Sequence, residues 1–261
     1  MADYQFCKVE RKGPLTIVTL NRPEVMNALH SPAHFELAGV FDAFAADPDQ
    51  WVAIVTGAGD RAFSAGNDLK YQAGGGTMKS PPSGFAGLSQ RFDLDKPLIA
   101  AVNGMAMGGG FEIALACDII VASETAVFAL PEPRVGLAAL AGGLMRLPRT
   151  IGDKRALSMI LTGRRVSAKE GEALGFVSDV VAPGELMNAA MKWAEQILAL
   201  SPMSVRASKQ AVYRGLSEPS VAAAITSQWD YPAVKALFKS EDFIEGPMAF
   251  AQKRTPVWKG K

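Results

Sequence analysis

Two hydrophobic rhythms alternate through the first half of the chain, and one of them takes over the second. Leu15 to Leu20 (LTIVTL) is a β-branched apolar run closed by Arg22 and Pro23, and predicts a strand. After Ser31 and Pro32, an N-cap and a first helical residue, apolar side chains at Phe35, Leu37, Val40, Phe41 and Phe44 predict an amphipathic helix ending near Asp47-Pro48. Trp51 to Thr56 predicts a second strand. Leu98 to Val102 is apolar throughout, as in a strand covered on both faces, and Ile119 to Ala122 is a fourth such run. Helical segments such as Phe111 to Cys117 lie between them, so the order is that of an α/β domain with a parallel sheet component. Past Arg146 the pattern turns helical, most clearly from Pro183 to Leu200, where Leu186, Ala190, Trp193, Ile197 and Leu200 recur at helical spacing. The glycine, serine and proline cluster from Gly74 to Gly84 predicts a loop, either a lid or surface slack.

Composition narrows the function. With 49% apolar and 20% charged residues in 261, the chain can bury a substantial core and is not of the disordered class. Lys and Arg total 27 against 26 for Asp and Glu, so there is no general attraction for nucleic acid or an anionic membrane, and an anionic ligand must be held locally. Two cysteines, Cys7 and Cys117, make no disulfide framework, which fits a reducing cytoplasm. The charge-free stretch from Pro97 to Phe111 is 15 residues, too short to cross a bilayer of about 30 Å, and the N-terminus lacks the apolar segment of a secretory signal.

Three motifs fail on inspection. Gly57-Ala58-Gly59-Asp60-Arg61-Ala62 matches a dinucleotide fingerprint, but the following residues are not helical in character and no acid stands at the ribose position. Ser64 sits in a near match to a nucleophile elbow, yet both histidines, His30 and His34, precede it. Those two have the spacing of a metal pair, but Ser31-Pro32 starts the helix between them, and they read as ordinary surface histidines. Cys117 reads as a core residue.

One motif survives. Asn103 to Glu112 (NGMAMGGGFE) follows a buried strand and opens an apolar helix. Three consecutive glycines either serve tight helix packing or let a ligand approach the backbone, where free N–H groups at a helix start suit a developing oxyanion. Glu112 lies in the first turn of a helix that is apolar all round, and is either a dipole-satisfying acid or a buried carboxylate with a raised pKa. Glu132, flanked by Pro131 and Pro133, is held rigidly, either for chemistry or for a loop salt bridge with Arg134.

With these residues in place, the chain resembles the crotonase (enoyl-CoA hydratase/isomerase) superfamily almost end to end. The likeness rests on Leu20-Asn21-Arg22-Pro23 with Asn27-Ala28, Ala62 to Leu69 (AFSAGNDL), the GGGFE block, Leu130-Pro131-Glu132 with Gly136, Gly142-Gly143, Leu161-Thr162-Gly163, and the tail from Glu245-Gly246 to Lys253-Arg254. The middle block and tail look most like its carnitinyl-CoA dehydratase (crotonobetainyl-CoA hydratase) branch.

The resemblance implies a spiral core of ββα units over residues 1–195 and a helical region, 196–261, packing between subunits of a homotrimer or homohexamer. It implies that the amides of Asn67 and Gly109 form an oxyanion hole for a CoA thioester, with Glu112 as base and Glu132 as acid in reversible hydration. Double-bond isomerisation and thioester hydrolysis are the alternatives on that fold. Ala65, Asn67, Asp68, Leu69 and Lys70 would line the adenine side of the CoA pocket, and Arg22, Lys70 or the partner subunit's Lys253 would meet its phosphates. CoA enters as substrate, and no metal or redox cofactor is expected. Two departures matter. Ala138-Ala139-Leu140-Ala141 puts Leu140 where dienoyl-CoA isomerases have a third carboxylate, against that chemistry and against a highly polar acyl group unless Tyr71, Phe85 or Trp229 supplies a cation-π site. The RNA binding of some relatives is set aside, because residues 23–60 contain no Lys or Arg and six acids.

Overall fold

The computed structural model describes residues 4–261. Its strands, in chain order, are β1 (Cys7–Lys12), β2 (Leu15–Leu20), β3 (Val52–Gly57), β4 (Ala62–Ser64), β5 (Leu98–Val102), β6 (Met105–Met107), β7 (Ile119–Ser123), β8 (Val127–Ala129), β9 (Val166–Ser167) and β10 (Asp179–Val181). The helices are α1 (Ser31–Ala46), α2 (Leu69–Ala73), α3 (Gly109–Ala116), α4 (Gly143–Ile151), α5 (Asp153–Thr162), α6 (Ala168–Leu174), α7 (Leu186–Leu198), α8 (Pro202–Gly215), α9 (Val221–Ser227), α10 (Pro232–Leu237) and α11 (Glu241–Ala251).

Successive strand pairs split between two sheets. The larger has the order β1-β2-β3-β5-β7-β10 and the smaller β4-β6-β8-β9. Thus β3-β4-α2 and β5-β6-α3 each place one strand in each sheet before a helix, and β7-β8 repeats the step, which makes the ββα spiral of the expected fold. All pairings are parallel except the β1-β2 hairpin and β8-β9.

Continuous apolarity in the central strands has the anticipated cause. Ile17, Ile54, Ile99 and Ile119 are register partners across β2, β3, β5 and β7, and pack with Ala190 and Ala194 of α7. Val18, Val55, Ala100 and Ala122 enter the main core with α1 and α3. Small residues on α7 let it approach the isoleucine row, and each fully buried isoleucine contributes roughly 1.5–3 kcal/mol.

Two expectations need correction. Helix α1 starts at Ser31, with His30 as N-cap and Pro32 already inside. Nor are His30 and His34 surface residues: they are 9% and 4% exposed, His30 packed edge-on to Phe6 and Tyr71, and His34 against Phe85. After α7, helices α8 to α11 form the remaining helical layer. Among the described residues no helix is long and apolar enough to cross a membrane.

Candidate active site

Two loops meet at the end of the smaller sheet. The first leaves β4 through Ala65, Gly66 and Asn67 and is braced from several sides. Ser64, fully buried, donates to the Asn27 carbonyl and accepts the Gly66 amide, so it is a structural hydroxyl and not a nucleophile. Asp68 caps α2 by accepting the Tyr71 amide at 3.1 Å and pairs with Arg22 at 2.9 Å. Burial opposes its charge, but that amide and the Arg22 guanidinium hold its carboxyl below the usual range. Arg22 also donates to the Ala28 carbonyl, which makes it a brace of this loop.

The second loop is the glycine run. Gly108 has φ +53°, in the left-handed region, and turns β6 into α3. Tight packing accounts for part of the run. A Cβ on Gly110 would collide with the Ser64 carbonyl oxygen, so this glycine seats α3 on β4. A Cβ on Gly66 would stand 2.8 Å from the Gly109 nitrogen, so the two loops lie in direct contact. The amides around them are engaged: Gly66 to Ser64, Asp68 to Leu29, Gly108 to Ala129, Glu112 to Gly108. Those of Asn67 and Gly109, like the helix-start amides of Gly110 and Phe111, have no acceptor among the described residues, which leaves free donors where the two loops meet.

The carboxylates flank them. Glu112 is 3% exposed, and its Oε1 accepts the Gly143 amide at 2.8 Å. Burial pushes its pKa up to about 7, with the charge of Glu132 adding to the rise, while the Gly143 and Ala141 amides and Arg146 oppose it. Glu132 Oε1 lies 2.7 Å from where a Gly108 Cβ would be, and its Oε2 is buried without a partner among the described residues. Burial raises its pKa too. The alternative salt bridge is not made: Arg134 donates instead to the Thr162 carbonyl. A rigid acid, a buried acid and the free amides of Asn67 and the α3 start thus converge around Gly108.

The family model for enoyl-CoA hydratase/isomerase matches residues 10–261. The chain belongs to the enoyl-CoA hydratase/isomerase family. A carnitinyl-CoA dehydratase of Salmonella typhi is 45% identical over 258 residues, covering 96% of this chain and 97% of that protein. An enoyl-CoA hydratase of Mycobacterium marinum superposes with a TM-score of 0.91 at 39% identity, covering 98% and 99% of the two chains. A carnitinyl-CoA hydratase of Mycobacterium avium superposes at 0.78 with 40% identity, covering 99% and 100%. The expected class, a hydratase/dehydratase on the crotonase fold, agrees with the names these family members carry.

The other expected residues distribute unevenly. Ala65, Asn67, Asp68, Leu69 and Lys70 are contiguous with the oxyanion loop, Leu69 and Lys70 exposed. Lys253 is exposed beyond the end of α11, a helix that packs on α8. Among the described residues no cluster of three or more His, Cys, Asp or Glu is placed to hold a metal ion. A groove of about 610 Å³ lined by Ile17, Thr56, Met187 and Met191 lies on the α7 side of the large sheet and contains neither carboxylate. Sequence reasoning missed Phe85 as a neighbour of the glycine run: its ring occupies the space a Gly109 Cβ would need, 2.5 Å from its Cζ. It also missed Arg146, whose Nη2 donates to the Ser89 carbonyl at 2.8 Å. Gly142-Gly143 was legible as a motif, but not as the donor to Glu112.

Proposed function

We propose that the chain catalyses reversible hydration of 2-enoyl-CoA thioesters with an uncharged acyl group. The observation that carries this reading is the pair of unpartnered amides, Asn67 and Gly109, next to two carboxyl groups with raised pKa values. The thioester oxygen accepts from both amides, and each such donor is worth roughly 3 kcal/mol on an oxyanion. Glu112, ionised, takes a proton from water as its oxygen bonds to the β-carbon. The electron pair of the double bond moves to the enolate, and Glu132, protonated, delivers a proton to the α-carbon. One proton is taken and one given, so the pair's net charge is unchanged, and proton exchange with solvent restores the starting protonation of each acid.

The exposed segment from Leu69 to Lys70 supports CoA binding at this edge, with Arg22 holding the loop and Lys70 free for phosphate. Leu140, 77% exposed before the Gly142-Gly143 turn, adds apolar surface. Of the aromatics available for a cationic acyl group, Tyr71 packs edge-on to His30 and Trp229 stacks on Phe238, while Phe85 stands at the site against Gly109. The exposed Leu140 is the feature that favours an uncharged acyl chain. A homotrimer or homohexamer and a cytoplasmic location, the latter in keeping with two buried free cysteines, belong to the same proposal.

The test is loss of the ultraviolet absorbance of the conjugated thioester with crotonyl-CoA, a longer enoyl-CoA and crotonobetainyl-CoA, with Glu132→Gln as control. Loss with wild type and the uncharged substrates, but not with the variant, is expected. Preference for crotonobetainyl-CoA would overturn the acyl assignment. No loss with any of the three would turn the reading to isomerisation or hydrolysis, which thiol release separates.

A further inference from the structure

Phe85 reaches Gly109 from a loop that does not hold itself in place. Ala86 has φ +56° and ψ +19°, a left-handed conformation that a residue with a Cβ keeps only where its surroundings enforce it, and Gly84 and Gly87 beside it also have positive φ. Three contacts enforce it. Gly87 lies so close to α1 that a Cβ would strike the Ala38 backbone. Ser89 Oγ accepts the Phe85 amide at 2.9 Å. Between them, His34 Nδ1 accepts the buried Ala86 amide at 3.1 Å, while its ring packs on Phe85 with centroids 4.3 Å apart.

We propose that His34 is a positioning residue for the oxyanion site: by accepting the Ala86 amide it seats the Phe85 ring against Gly109 and fixes the wall beside which the thioester carbonyl lies. This rests on the oxyanion role given to Gly109 above. The acceptor must be the unprotonated Nδ1, and burial together with the charge of His30 holds the imidazole pKa down at about 4, so the lone pair is available at neutral pH. Among the described residues no other polar side chain bonds to the Ala86 amide.

Three variants test it. In hydration of an uncharged 2-enoyl-CoA, His34→Leu is expected to lose about 10- to 100-fold in kcat with a smaller change in KM, since misplacement by about 1 Å costs on that order. His34→Asn, whose Oδ1 can take the same amide, is expected to recover most of that loss. Phe85→Leu is expected to show the kcat loss with the His34 bond intact. Wild-type kcat in His34→Leu, or an Asn variant as impaired as the Leu variant, would overturn the proposal. Hydrogen exchange of the Ala86 amide reads the anchor without turnover: slow in wild type and in the His34→Asn and Phe85→Leu proteins, fast in His34→Leu. Fast exchange in wild type also overturns it. A wild type inactive on every enoyl-CoA would sink the functional reading alone, because the exchange measurement still decides for or against His34.

Discussion

Glu112 is 3% exposed, and its carboxyl titrates near 7 against 4.5 for the free side chain, so the folded protein binds more protons than the unfolded chain across that interval. For an acid with its pKa raised in this way, the native state loses stability as pH rises from 4.5 through 7. The full difference is on the order of 3 kcal/mol, reached once both states are ionised. Glu112→Gln removes the charge and keeps an acceptor for the Gly143 amide. It should therefore unfold at a higher temperature than wild type at about pH 8, with the gap closing below the free side chain's pKa of 4.5, while activity falls by roughly 10²- to 10⁴-fold. A gap independent of pH in thermal unfolding would show that the carboxylate is not destabilised. Arg146 is the cation that opposes the rise. Arg146→Met should move the ascending limb of kcat/KM to higher pH, an apparent value that belongs to the Glu112–Glu132 pair and not to either acid.

At the level of elements, the close seating of α3 on β4 sets the distance between the Asn67 and Gly109 amides, and Gly110 is the residue that allows it. Gly110→Ala alone should gain about 0.8–1.0 kcal/mol of helix propensity. Its new Cβ meets the Ser64 carbonyl oxygen, a backbone atom that cannot rotate away, and overpacking of this kind costs about 1–3 kcal/mol or more. The clash outweighs the propensity, so urea unfolding should show a net loss of stability, together with a kcat loss as Gly109 moves from Asn67. The same element shows why legibility was uneven. Its glycines, its buried glutamate and the strand before it announce themselves in one unbroken stretch, Leu98 to Cys117, because period and composition are local properties. Strands β4, β6 and β8 have three residues each, too few to display a period, and β1 (CKVERK) is a charged edge strand with one deeply buried residue. His34 and Phe85 lie far apart in the sequence, and nothing local in either segment encodes their contact. Gly142-Gly143 was visible as a motif, yet its function as a donor to Glu112 exists only once α4 packs on α3.

For the whole molecule, the decisive feature is apolar surface left uncovered on the helical layer. Val221, Ile225, Leu216, Ile244 and Phe250 are 57–88% exposed in the single chain, more large apolar side chains than a lone subunit ordinarily leaves in water on one layer. The tail that carries Ile244 and Phe250 is fixed: Asp242, 3% exposed, accepts the amides of Lys259 and Gly260 and the Ser201 hydroxyl, and Trp258 donates to the Ala199 carbonyl. A preformed apolar face loses little entropy on association, which suits a cyclic assembly of three copies or two such rings. Phe250 is 88% exposed, so replacing it with Asp removes little from the isolated fold. At an interface the same change costs about 2–4 kcal/mol per copy. Light scattering on the eluting protein should give three or six chain masses for wild type and a lower, concentration-dependent mass for Phe250→Asp. The melting temperature of the variant should drop only through dissociation, and so depend on protein concentration. A single chain mass for wild type at micromolar concentration would remove the assembly from the proposed function, and with it any contribution of the partner subunit's Lys253 to CoA phosphates.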